Sequence, residues 1–495
     1  MLFNSYLFLF AFLPISLGLY YVLRTNYGKE ASFVVLVLAS LVYYAYWKVV
    51  YLPILLISIV GNYGLGLCIA RAGTHKRKKI FLISGITLNL CALVYYKYAN
   101  FFLDNLQTIT GANYSSVNIL LPLAISFFTF QQIAYLVDNY KNEAKEYSFV
   151  HYCLFVSFFP QLIAGPIVHH KEMLPQFMAT TRKLVDVDLM WQGIQQFCYG
   201  LFKKVMIADN VALYATPVFM AADGGHSITV WEAWIATLAY AFQLYFDFSA
   251  YSDMAIGIGK MFGINLPKNF NSPYKASSIS DFWRRWHITL SHFLRDYLYI
   301  AMGGNKNGSI RRYSNLFVTM VLGGLWHGAS WNFVVWGALH GLYLIINHAW
   351  SGLMRLLGFN TKQFWYKAIA HVLTFFVVIE AWVLFRAETF GGAAIIYEAS
   401  YQFSSLTLSN LFDDNFNYIS DPVRALSMLF ICGFVAFILP NSQDFVENKQ
   451  GRWFSPSTLL GLNILIRGIP LLAATFLMLS IASMNKVSEF LYFQF

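Results

Sequence analysis

Charge is what this 495-residue chain has least of. Only 12% of its residues are Asp, Glu, Lys or Arg, and 58% are hydrophobic, where a soluble domain carries roughly 25% charged residues. That scarcity excludes an ordinary soluble enzyme and points to a membrane protein. Cysteine is scarce too. Cys68, Cys91, Cys153, Cys198 and Cys432 are scattered through apolar surroundings, with no spacing that suggests a metal site or a disulfide framework, and they read as small membrane-core residues. The sequence has no Gly-Xaa-Ser-Xaa-Gly elbow, no phosphate loop and no His-Glu-Xaa-Xaa-His pattern, which argues against hydrolase, nucleotidase and zinc-protease chemistry. It also lacks a low-complexity tail and an obvious duplication into related halves, the usual mark of a transporter built from repeats. The net charge of +10 reads as basic residues collected in cytoplasmic loops rather than as a nucleic-acid surface.

What the chain does have is apolar runs, since a spanning helix needs about 20 mostly apolar residues. They are readable at 4–23, 31–47, 50–71, 80–98, 117–138, 147–168, 187–207, 228–262, 313–326, 330–350, 367–385, 423–441 and 458–484. The expected fold is all-α and polytopic, with 11–13 membrane helices. The first run lacks a basic flank and a cleavage site, so it reads as a retained helix. The stretch 228–262 is either one long helix or two short ones, and the stretches around Pro160 and Pro166 and at 313–326 are candidates for re-entrant backbone.

Basic loops orient the chain. His75-Lys-Arg-Lys-Lys79 is expected on the cytoplasmic side with Arg24 and Lys29, which leaves the N-terminus extracytoplasmic and the loop 99–116 outside. The Asn113 sequon in that loop reads as chance. Lys141, Lys145, Lys203 and Lys204 fall on or near the inner face, as do Lys306, Arg311 and Arg312, with Arg182 and Lys183 if 147–168 is re-entrant.

Two segments do not explain themselves as membrane. They are Asp281-Phe-Trp-Arg-Arg-Trp-His287 and Gly323-Gly-Leu-Trp-His327-Gly. Ionisable groups kept at membrane depth are costly and are functional candidates by default. Ser278 or Ser280 is expected to cap a helix starting near Asp281. That helix would set Trp283, Trp286 and His287 on neighbouring faces, with Arg284, His287, Ser291 and Arg295 close to one stripe. His327 sits among glycines that allow close backbone approach, and a neutral imidazole there can take a proton from a hydroxyl. A bond between helices is the plainer reading. His287 can orient a carbonyl or stabilise an oxyanion, against the alternative of a basic, aromatic interfacial belt. A metal site lacks a third ligand. The arginines Arg284, Arg285 and Arg295 suit the phosphates of a coenzyme A donor, although positive-inside bias accounts for any one of them. Asp247, Ser249, Tyr251 and Asp253 form a polar island in an apolar run, with a structural or tunnel-lining role. No spacing assigns a role to His169, His170, His292 or His340.

Taken together, these residues resemble the membrane-bound O-acyltransferase (MBOAT) family, nearest to the bacterial branch that contains alginate O-acetyltransferase membrane subunits. The resemblance rests on Ser157-Phe-Phe-Pro-Gln-Leu-Ile-Ala-Gly-Pro166, Gly200-Leu-Phe-Lys-Lys204, Tyr245-Phe-Asp-Phe-Ser249, Tyr251-Ser-Asp-Met-Ala-Ile-Gly257, Asn269-Phe-Asn-Ser-Pro-Tyr274, Asp281 to His287, Leu294-Arg-Asp-Tyr-Leu-Tyr299, Gly323 to Ser330, and the terminal Tyr492-Phe-Gln-Phe. Ala250, His292-Phe293 and Ala301-Met302 depart from the family pattern.

The resemblance implies one membrane domain over 1–495. It would have N-terminal helices at 1–140, a catalytic core with both motif histidines at 141–350, and C-terminal helices at 351–495, with re-entrant or interfacial helices around a transmembrane tunnel. It implies His327 as the catalytic residue and His287 at the family's histidine-or-asparagine position. Trp283 and Trp286 join the arginines on the donor side, and Asp296, Tyr297 and Trp326 join the polar island along the tunnel. It further implies an enzyme of the bacterial inner (cytoplasmic) membrane with no bound cofactor. Acetyl-CoA would be the donor, an exported polysaccharide the acceptor, and a periplasmic acetyltransferase or SGNH-like protein the partner. Peptidoglycan O-acetylation and D-alanyl transfer to teichoic acid are alternatives, and a non-catalytic transporter or scaffold is the alternative from another class.

Overall fold

A computed structural model describes residues 1–112, 114–115, 117, 119–142, 148–179, 185–405, 407, 411, 416–447, 473–484 and 490–491. The sequon residue Asn113, Lys145, Arg182, Lys183, most of the expected span 458–484 and the terminal Tyr492 to Phe495 lie outside them. Every regular element among the described residues is helical. Five of the helices are long and apolar enough to cross a membrane: Phe8–Asn26, Val49–Arg71, His75–Thr110, Val187–Asp223 and Phe364–Arg386. The all-α, multi-pass membrane architecture expected from composition is the one observed. Several other apolar runs form helices too short to count as spans, such as Lys29–Ala45 and Pro422–Phe437.

The expected boundaries shift where local chemistry intervenes. The helix expected at 117–138 runs Ile125–Tyr140 and begins after Pro122 and a left-handed Ala124 (φ 62°). The loop expected at 99–116 is helical up to Thr110. The run 147–168 is broken rather than spanning. Phe149–Ser157 ends at Phe158, and Phe159–Leu162 starts afresh with Pro160 in its first turn, because proline has no N–H to give and crowds the turn before it. This irregular stretch is covered by protein, with Phe158 fully buried, as such backbone must be in a membrane. The run 228–262 is one continuous helix, Val230–Met261.

The chain divides into two compact units. The first holds the described residues of Met1–Leu201, Tyr251–Lys268 and Pro456–Thr475. Buried amides serve as polar glue between its helices: Asn62 and Asn89 exchange hydrogen bonds of 3.2 and 2.7 Å. Tyr20 donates to the Phe262 carbonyl at 3.1 Å and Tyr21 to that of Met261 at 2.5 Å.

The second unit holds the described residues of Phe202–Ala250, Asn269–Ser455 and Phe476–Phe495. Its centre is an antiparallel hairpin of Gly308–His327 and Trp331–Leu356. The turn between them is capped by Ser330, whose hydroxyl accepts from the Asn332 N–H at 3.1 Å. Two glycines let the helices touch backbone to backbone. A Cβ on Gly324 would collide with the Phe333 carbonyl, and one on Gly337 with that of Met320. Both obstacles are main chain and cannot rotate away. Gly324→Val is therefore expected to destabilise the protein by about 1–3 kcal/mol, read as a lowered unfolding temperature in detergent. An unchanged temperature would mean that the hairpin is looser than this contact requires.

Candidate functional site

His327 is the last residue of the helix Gly308–His327. The helix stops there because Gly328 takes an extended conformation (φ −160°, ψ 152°). A Cβ at that glycine would strike the Phe333 ring. The imidazole is buried, with ring-centroid distances of 5.3 Å to Trp336 and 5.1 Å to Phe385. It thus sits at a helix end and in an aromatic wall at once.

His287 reaches the same wall by a route the sequence pattern does not show. Ser278 caps a short helix, Ile279–Trp283, by accepting from the Asp281 N–H at 3.1 Å. The expected helix through Asp281 then fails to continue. His287 is left-handed (φ 41°, ψ 55°), and a second helix, Ile288–Phe293, starts after it. The stripe of Arg284, His287, Ser291 and Arg295 therefore does not form. The break is held by a neighbouring extended segment: the Ile288 N–H donates to the Asn269 carbonyl and the Asn271 N–H to that of Arg285, each at 2.9 Å. Left-handed backbone at a non-glycine residue costs about 1–3 kcal/mol and gathers at functional sites.

Asn269 also fixes the imidazole. Its Oδ1 accepts from the Thr289 N–H at 3.2 Å and from the Thr289 hydroxyl at 2.9 Å, and lies 3.1 Å from His287 Nδ1. A backbone N–H can only donate, so the atom facing it is the amide oxygen, and Nδ1 must carry the proton shared with it. In a neutral ring the lone pair is then on Nε2. His287 is fully buried, edge-on to Phe248 at 4.8 Å and 6.3 Å from Trp326. Trp326 is 5.0 Å from His327, so both motif histidines meet one indole. We expect Asn269→Ala to cost about 1–3 kcal/mol through the orphaned donors it leaves. Activity should fall further than stability does, because the tautomer is no longer set. Paired thermal unfolding and turnover measurements would check this, and parallel losses would make Asn269 a purely structural residue.

The remaining expected residues are placed as follows. Trp286 packs on Trp382 at 4.9 Å and Phe270 at 5.1 Å. Trp283 packs edge-on to His340 at 5.1 Å and to Trp336 at 5.9 Å. Arg285 pairs with Asp281 at 3.0 Å. Arg284 is exposed and, with Arg312, acts electrostatically on His348. Arg295 is exposed and bound to its neighbour Asp296 at 2.7 Å. That hydrogen bond raises the arginine's pKa, while burial and Arg295 together lower that of His292. Tyr297 packs on Phe293 at 4.9 Å.

The polar island is engaged internally. In the second unit, Asp247 accepts from Lys204 at 2.6 Å and from the Leu491 N–H at 2.9 Å, and Ser249 accepts from Lys203 at 3.1 Å. In the first unit, Asp253 accepts from Gln196 at 2.7 Å and Tyr251 stacks on Phe3 at 4.9 Å. Lys204 is 2% exposed and bridges Asp247 and Asp209. Lysine loses least at low dielectric when paired in this way. Among the described residues no cluster of His, Cys, Asp and Glu could hold a metal. Cys153, Cys198 and Cys432 are buried, while Cys68 and Cys91 are exposed.

One residue without a sequence assignment belongs here. His340 is fully buried, 4.8 Å from Trp336 and 6.3 Å from Phe282, and Trp336 in turn touches His327. Neither nitrogen of His340, nor Nε1 of Trp283 or Trp336, has a hydrogen-bond partner among the described residues. Orphaned buried groups of this kind require an explanation. The available signal was the i, i+4 spacing of Trp336 and His340, which stacks both on one helix face.

The model of the MBOAT, membrane-bound O-acyltransferase family matches residues 80–385. The peptidoglycan O-acetyltransferase of Helicobacter pylori is 41% identical over 100% of this chain and 98% of its own length. A probable alginate O-acetylase of Pseudomonas aeruginosa is 43% identical over 83% of this chain and 77% of its own. The teichoic acid D-alanyltransferase of Bacillus subtilis is 27% identical over 55% of this chain and 70% of its own.

Proposed function

The chain belongs to the membrane-bound O-acyltransferase family, and from that premise we propose that it moves an acetyl group from cytoplasmic acetyl-CoA to hydroxyls of an exported cell-surface glycan. The observation that carries this reading is the meeting of His287 and His327 at Trp326 within a buried aromatic wall.

In the proposed step His327 takes the proton of the acceptor hydroxyl as its oxygen attacks the thioester carbonyl. The new C–O bond forms, the C–S bond breaks, and the coenzyme A thiolate recovers the proton. Asn269 holds the His287 Nδ1 proton, so the neutral ring offers a lone pair at Nε2. That favours accepting a hydrogen bond from the acceptor hydroxyl. Stabilising an oxyanion through Nε2 would require the protonated ring. The aromatic surroundings keep bulk water from the thioester. Arg284 supplies positive charge for the donor's phosphates. Delivery through a periplasmic acetyltransferase or SGNH-like partner is part of the proposal.

Peptidoglycan is the second acceptor reading, supported by the end-to-end match to the H. pylori relative. An alginate-like polysaccharide is supported by the P. aeruginosa match. D-alanyl transfer has the weaker support of partial coverage at lower identity.

The test uses the purified protein in nanodiscs with radiolabelled acetyl-CoA, offering peptidoglycan fragments or mannuronate oligomers as acceptors. Release of coenzyme A with label on one acceptor class supports the reading and chooses between the two glycans. Failure both to bind and to turn over acetyl-CoA would overturn the donor assignment in favour of a carrier-borne acyl group.

A further inference from the structure

The second unit contains a cavity of about 1070 Å³ that the proposed chemistry does not use. It lies between the C-terminal half of Trp331–Leu356, the N-terminal half of Phe364–Arg386 and the Ser277–Ile279 segment. Its volume is just above the range that holds a small ligand, roughly 300–1,000 Å³. Trp350 ties one helix to the other by donating to the Tyr366 hydroxyl at 2.9 Å.

The lining divides by chemistry. Arg355 and Lys367 are its only charged residues; both are exposed, and neither meets a carboxylate among the described residues. Ile346, Ile369 and Leu373 also line it and are 62%, 61% and 59% exposed. Arg355 lies in the last turn of one helix and Lys367 in the first turn of the next, and two exposed cations beside open aliphatic surface fit one occupant, an amphiphile with an anionic head.

The basic end is also the one that should face the cytoplasm. Tyr313 lies 6.5 Å from His348, which brings the Arg311–Arg312 end of the helix hairpin beside the end carrying Arg355. Positive residues gather on the cytoplasmic side, where the leaflet is anionic and basic pockets between membrane helices bind anionic headgroups.

We propose that this cavity binds an anionic phospholipid, its phosphate held by Arg355 and Lys367 and an acyl chain laid along Ile346, Ile369 and Leu373. Tyr343 lines the cavity and is 5.7 Å from His340, so the occupied site adjoins the aromatic wall of the candidate active site.

The test compares nanodiscs of phosphatidylcholine alone with nanodiscs that also contain phosphatidylglycerol. A ligand that binds only the folded state raises its stability. Phosphatidylglycerol should raise the unfolding temperature of the wild type by several degrees, and native mass spectrometry should show retained phosphatidylglycerol. The double variant Arg355→Gln/Lys367→Gln should match the wild type in phosphatidylcholine and lose the phosphatidylglycerol shift. Should that variant fail to fold, Leu373→Trp, which fills the acyl end, should at least halve the shift. A full shift in these variants would overturn the proposal. So would an equal shift from inorganic pyrophosphate in detergent without phosphatidylglycerol, which would make this a site for soluble phosphates.

Discussion

Replacing His327 with alanine is expected to lower coenzyme A release by about 10²- to 10⁴-fold, the usual worth of a positioned general acid–base group. The imidazole is buried between Trp336 and Phe385, so alanine also leaves a void and some stability will be lost. His327→Gln separates the two effects. It fills more of the volume and keeps a hydrogen-bonding group, yet it cannot carry a proton through the reaction. Both variants should remain folded and inactive. Full turnover in a folded His327→Gln would remove this residue from the chemistry and shift weight to the scaffold reading, in which the chain serves a transferase elsewhere. His287 should behave differently. Its backbone is left-handed, a conformation that asparagine tolerates better than most non-glycine residues. Asparagine can also donate to Asn269 where Nδ1 does now. His287→Asn should therefore retain more activity than His287→Ala, whose side chain can do neither. This supplies a physical reason for the histidine-or-asparagine position that the family resemblance implies at His287.

Both motif histidines stand out in the sequence because they are ionisable residues in apolar surroundings, beside glycines and tryptophans. How His287 is presented is not legible there. The spacing of Trp283, Trp286 and Leu290 suits an unbroken helix, and nothing local in Arg284-Arg-Trp-His287 stops one. The break comes from hydrogen bonds to Asn269 and Asn271, about sixteen residues earlier in the chain, and tertiary bonds of that kind override local propensity. His340 escaped for a related reason. Its neighbours Trp283, Phe282 and Trp382 come from two other helices, and only folding shows them enclosing it. The proline-broken segment at Pro160 was readable, since proline acts through its own missing N–H. Lys204 marks what charge counting leaves out: it assigns a side of the membrane but no partner, and the structure pairs this lysine with a carboxylate more than forty positions away, Asp247.

That buried pair leads to the second large effect. Lys204→Met should destabilise the protein by about 3–5 kcal/mol, because it strands Asp247 without its countercharge. Asp209 can return partly to solvent at 23% exposure, but Asp247 at 3% cannot. Low yield of monodisperse protein and a sharply lowered unfolding temperature are the expected readouts. Adding Asp247→Leu removes the stranded charge and should recover most of the loss, since well-packed apolar residues often replace a buried ion pair at little cost. A single variant as stable as the wild type would show that the pair contributes nothing to folding. The double variant also decides what Asp247 is for. If the carboxylate is only a partner for Lys204 and the Leu491 N–H, the recovered protein should still release coenzyme A from acetyl-CoA. If it lines the acceptor path, as its place in a polar island of an apolar helix first suggested, the double variant should fold and bind acetyl-CoA yet transfer little to the glycan. The pairing at 2.6 Å leaves Asp247 Oδ1 committed to the lysine, so we expect the first outcome.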